Sequence, residues 1–97
     1  MSGKNTALFG IYPTHESADA AVALLRSKGF RSSDVGIMAM PGALVRLGMP
    51  EYQAKRYEGR MRTGGILLSV HADDREWTSK GKQILEHSGA EDISSDQ

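Results

Sequence analysis

The chain has 97 residues, with 12 basic and 12 acidic side chains, three histidines and no cysteine. That length suits one domain burying about 60–65% of its unfolded surface, and a hydrophobic fraction of 39% makes its core thin. The missing thiols exclude disulfides, thiolate metal sites and cysteine nucleophiles. The charge balance excludes a strong whole-molecule field for nucleic acid or membranes.

Ala7–Tyr12 is a short apolar and aromatic run that stops at Pro13, the pattern of a buried strand. Thr14 follows as a helix cap, and Glu16 suits the positive end of the helix dipole. Ala18, Ala21, Val22 and Leu25 recur at helical spacing. Gly29 is placed as the left-handed residue that ends the helix, with Phe30 packing back on its last turn. Val35–Met40 is the second predicted strand, ended by Pro41-Gly42.

Pro50-Glu51 then opens an additional predicted helix to Arg62, Pro being pre-shaped for a first turn. Ala54, Tyr57 and Met61 share its inner face, while Tyr52, Lys55, Arg56 and Arg60 share the outer one. Thr63-Gly64-Gly65 turns the chain into a third strand, Ile66–His71, in which Ile66, Leu68 and Val70 face the repeat helices. Asp73 with Glu76 reads as a capping box, and Trp77, Ile84 and Leu85 form the apolar stripe of the next helix, which implies a largely buried Trp77 ring. Gly81 lies on that same side, where a neighbouring element must come close. Gly89 ends the helix, a final strand Glu91–Ile93 follows, and Ser94–Gln97 reads as a frayed tail.

The order strand, capped helix, terminal glycine, strand therefore occurs twice, over 7–40 and 65–93, with a connector and extra helix over 42–64. Two such units make one α+β domain spanning 1–97, a ferredoxin-like split βαβ sandwich. Its four-stranded antiparallel sheet is predicted in the order 4-1-3-2. Both repeat helices should pack on one face, and the third helix is inserted between strands 2 and 3. The sheet face bearing Leu67 and Met38 would need cover, from the extra helix or from a second copy, so a homodimer is expected.

Two blocks resemble the general stress protein family of small bacterial proteins. One is Gly48-Met-Pro-Glu-Tyr-Gln-Ala-Lys-Arg-Tyr-Glu-Gly-Arg, the other Gly64-Gly-Ile-Leu-Leu-Ser-Val-His. Phe9-Gly-Ile-Tyr, the spacing from Gly29-Phe30 to Asp34-Val35, and Gly89-Ala-Glu-Asp-Ile are similar to that family as well. The resemblance implies a role in stress adaptation and carries no catalytic residues over to this chain. Many members have a long Gly- and Ala-rich, membrane-like segment before the Gly-Met-Pro-Glu-Tyr block. Here Met40 meets Pro41-Gly-Ala-Leu-Val after almost nothing, so membrane association is not expected.

Charge is unevenly placed. Residues 43–63 carry Arg46, Lys55, Arg56, Arg60 and Arg62 against Glu51 and Glu58, whereas 72–97 are strongly acidic. The outer arc of Tyr52, Lys55, Arg56 and Arg60 combines forked donors with a flat ring and suits an anion or an acidic protein surface. A plain solvated face, with Glu51–Lys55 and Glu58–Arg62 as i,i+4 pairs, would use the same residues. Neutralisation within the molecule, or contact between copies, would also use these charges. His71, near Asp73 and Asp74, suggests a base, but Asp73 is already assigned as a cap. His15 and His87 read as surface residues. Gly64-Gly65 precedes a strand and is a turn, not a phosphate loop. Ile66–His71 has no aromatic residue for stacking RNA bases, so nucleic acid is not an expected partner.

No cofactor or metal is expected. The opening apolar run is too short for a signal-peptide core, and no stretch approaches the ~18 apolar residues of a membrane span, so the expected location is cytoplasmic. The expected function is that of a non-enzymatic general stress protein acting through protein or anion contacts. The alternatives are a dimeric small-ligand-binding regulatory module and a small enzyme using His71.

Overall fold

A computed structural model describes residues 6–39, 44 and 49–96. The elements are β1 (Thr6–Tyr12), α1 (His15–Ser27), β2 (Val35–Met38), α2 (Glu51–Arg62), β3 (Ile66–Ala72), α3 (Arg75–His87) and β4 (Glu91–Asp96). The four strands form one antiparallel sheet in the order β2-β3-β1-β4, which is the expected 4-1-3-2 order read from the other edge. This is the α+β, ferredoxin-like architecture.

Strand parity assigns the two faces. Leu8, Tyr12, Ile66, Leu68 and Val70 point to one side and close on Ala18, Ala21 and Leu25 of α1 and Ile84 and Leu85 of α3. Phe9, Ile11 and Leu67 point to the other and close on Ala54, Tyr57 and Met61 of α2, joined by Leu44 and Met49. The two repeat helices therefore share one face, and α2 covers the reverse. Leu67 is fully buried beneath it.

Local chemistry sets the helix ends. Thr14 caps α1 through its side chain, and Ser17 reciprocates as a capping box. All three helices close with the same pair of reversed hydrogen bonds. Phe30 N–H donates to the Leu25 carbonyl, Gly65 N–H to Arg60, and Ala90 N–H to Leu85, each across a left-handed glycine. Gly81 marks the expected close approach, since a Cβ there would lie 2.9 Å from Leu8 Cδ1 and 3.3 Å from Phe30 Cζ.

Several boundaries differ from the sequence reading. The cap of α3 is Asp74, not Asp73. Asp74 has extended backbone and accepts the Trp77 N–H at 2.9 Å, so Glu76 falls one residue short of the capping-box position. Pro50 is the N-cap of α2 rather than its first helical residue, its carbonyl accepting from Gln53 and Ala54. β2 stops at Met38, after a 3-10 turn over Ser32–Asp34. Met40, its expected end, and Pro41-Gly42 lie outside the described residues, as does Gln97. β4 runs to Asp96 instead of stopping at Ile93, with Ser94, Ser95 and Asp96 paired to Phe9, Leu8 and Ala7. A bulge makes this possible: Asp92 and Ile93 lie opposite the single residue Gly10, and Asp92 takes φ 56°. Trp77 is half-buried rather than enclosed, standing edge-on to Phe30 with a centroid separation of 5.0 Å.

Candidate functional site

The outer face of α2 is positioned by what lies beneath it. Ala54, Tyr57 and Met61 are buried on the sheet, and the Tyr57 ring leans on Phe9 with centroids 6.3 Å apart. A phenol in an apolar cluster must satisfy its hydroxyl. Tyr57 does so at β4, donating to the Asp92 carbonyl and meeting Ser94 Oγ at 2.7 Å. Gln53, also buried, donates its amide to the same Ser94 hydroxyl. The left-handed turn at Asp92 is thus part of the seat of α2.

With the helix fixed in rotation, Tyr52, Lys55, Arg56 and Arg60 run along its outward side, but their partners differ. Tyr52 is 75% exposed, and Lys55 is exposed with no ion pair among the described residues. Arg56 Nε lies 3.2 Å from Asp92 Oδ2, and its guanidinium carbon is 5.7 Å from the Tyr57 ring centroid. Arg60 pairs with Glu91. The i,i+4 pairs Glu51–Lys55 and Glu58–Arg62 do not form among the described residues; two cations of the helix reach across to the last strand instead. Neutralisation of the 43–63 block by the acidic 72–97 region therefore occurs in part within one molecule. The Arg60–Glu91 pair is solvent-exposed and the Arg56–Asp92 pair partly so, hence both are weak and open to exchange with a competing carboxylate.

Burial pushes the Tyr57 hydroxyl above its ordinary value, with its Ser94 hydrogen bond opposing. Tyr12, fully buried on the opposite face, is also pushed up by burial against its 2.6 Å hydrogen bond to Ser88. Both phenols act as neutral hydrogen-bonding struts at neutral pH.

Gln53, Ser94 and Asp92 went unassigned in the sequence reading. One signal for them was present: Tyr57 on an apolar inner stripe implies a polar acceptor on whatever it packs against. His71 stands exposed near the end of β3, beside a small cleft also lined by Asp73 and Trp77. Among the described residues no cluster of three or more His, Cys, Asp or Glu side chains is placed to hold a metal, and no helix is long and apolar enough to cross a membrane. Neither a family model, nor a curated protein, nor a solved structure matches this chain.

Proposed function

We propose that this chain is a non-enzymatic general stress protein, of the kind its Gly48–Arg60 block resembles, that works by docking an acidic protein segment on the outer face of α2. The observation behind this reading is the exposed Tyr52 ring beside Lys55, which has no ion pair among the described residues, flanked by Arg56 and Arg60. A ring and an ammonium at i and i+3 present one contact patch. The two arginines are held at its margin by the carboxylates of Asp92 and Glu91, which an incoming acidic side chain can replace, keeping the geometry and exchanging the partner. The acidic 72–97 region of a second copy is one such segment, and homodimer formation belongs to this proposal.

The structure shapes the test. Reversing Arg56 would also break its pair with Asp92, so Tyr52→Ala combined with Lys55→Glu is the cleaner change. Exposed helix charges contribute only about 0.3–0.5 kcal/mol each, so the variant should keep wild-type thermal stability. Wild type should bind an oligoglutamate peptide in a salt-sensitive manner, self-associate in sedimentation, or do both, and the double variant should lose what wild type shows. Equal peptide binding and equal self-association in the two proteins would retire the proposal.

A further inference from the structure

A second site lies away from α2, where the carboxyl-terminal end of α1 meets the end of β3 and the start of α3. There Phe30, Arg31, Asp34, His71, Asp73 and Trp77 line a cleft of about 90 Å³. We propose that this cleft binds a small organic cation, a guanidinium or alkylammonium group, with Asp73 as counter-ion and the Trp77 indole as wall.

The key is the division of labour between two consecutive aspartates. Asp74 is consumed by the helix: its carboxylate takes the Trp77 N–H, and its carbonyl takes both the N–H of Thr78, at 2.9 Å, and its hydroxyl, at 2.7 Å. Asp73 has no hydrogen bond or ion pair among the described residues and borders the cleft. The one arginine of the lining is already matched. Arg31 Nε lies 3.7 Å from Asp34 Oδ2, and its backbone N–H donates to that same oxygen at 3.2 Å. That pairing leaves Asp73 as the one charged residue of the lining with no ion-pair partner among the described residues. His71 lines the same cleft.

The wall favours the same ligand. An indole is the side chain best suited to hold a cation over its ring, and Trp77 already draws the Lys80 ammonium to 4.5 Å from its centroid. Lys80 is not part of the cleft lining. Phe30, edge-on, fixes the ring in place. The small volume of the cleft suits a cationic headgroup. An anion would meet an unpaired carboxylate.

Trp77 is the only tryptophan, so its fluorescence reports on the cleft directly. Methylguanidinium chloride should give a saturable change with a millimolar midpoint, where sodium chloride at matched ionic strength gives none. Asp73→Asn should raise that midpoint about tenfold, the worth of one charge-assisted hydrogen bond. Asp74→Ser keeps a capping side chain and should leave the midpoint unchanged. The His71 ring protons should shift with the same midpoint, locating the ligand. A blocked Gly-Arg-Gly peptide separates the sources: equal or tighter binding identifies a protein side chain as the natural cation, and binding of methylguanidinium alone identifies a free small molecule. A linear response, an unchanged midpoint in Asp73→Asn, or saturation by sodium acetate instead would overturn the proposal.

Discussion

On the side of the sheet that carries α1 and α3, Ala18, Ala21 and Leu25 on one helix and Ile84 and Leu85 on the other meet Leu8, Leu68 and Val70, with one side-chain hydrogen bond, Tyr12 to Ser88, tying the sheet to the end of α3. On the opposite side α2 offers only Ala54, Tyr57 and Met61 to Phe9, Ile11 and Leu67, and a row of polar bonds to β4 completes its attachment. The first face is held mainly by area removed from water, which is non-directional. The second is held by directional bonds that set the rotation of α2. Apolar burial is enough to hold a helix on a sheet; presenting a chosen outward face takes hydrogen bonds that fix the rotation.

The contrast is sharpest under mutation. Leu68→Ala on the α1/α3 face, at a fully buried position of a central strand, should cost about 2–5 kcal/mol. That is a large share of the ~5–15 kcal/mol typical of a domain, and thermal unfolding will show it as a global loss. Tyr57→Phe keeps the ring but removes the hydroxyl that meets Asp92 and Ser94, and should cost about 1–2 kcal/mol. The same hydroxyl gives an alkaline signature. Its raised value means that the neutral phenol is favoured in the fold. Stability is therefore full below the ordinary tyrosine value near 10 and falls as pH climbs through the raised one. Tyr57→Phe should blunt that fall, with Tyr12 left to supply the remainder. The smallest effect belongs to Arg56→Gln, which removes a partly exposed pair with Asp92. It should change stability by about 0.2–1 kcal/mol and by less in high salt. A loss as large as that of Leu68→Ala would mean that the polar row, not the apolar interlock, carries the fold.

Both βαβ units were legible because apolar periodicity, capping residues and terminal glycines are local signals. Thr14, Gly29, Gly81 and Gly89 each act as their spacing implies, and strand parity correctly put Ile66, Leu68 and Val70 under the repeat helices. The errors came where a local pattern has two solutions. Asp73 and Asp74 both offer a capping carboxylate, and only the backbone conformation decides between them. Ser94-Ser-Asp has no strand propensity, yet it pairs with β1 because a bulge at Asp92 restores register and because Ser94 is needed by Tyr57 and Gln53. Trp77 lies on the stripe as expected but at its margin, which lowers the cost of Trp77→Ala below the ~3–5 kcal/mol of an enclosed ring. In the α2 arc the four residue positions were readable from helical spacing. The partners of Arg56 and Arg60 were not, because Asp92 and Glu91 lie more than thirty residues away along the chain.

The most direct test of the polar seat of α2 is native-state hydrogen exchange, residue by residue, comparing wild type with Tyr57→Phe. The expected result is a selective loss of protection in the amides of α2 and the Glu91–Ser94 stretch of β4, with α1 and α3 losing no more than the global change in stability. An equal drop across all three helices, or full protection of α2 without the hydroxyl, would contradict the claim that these bonds hold the helix and its outward face in place.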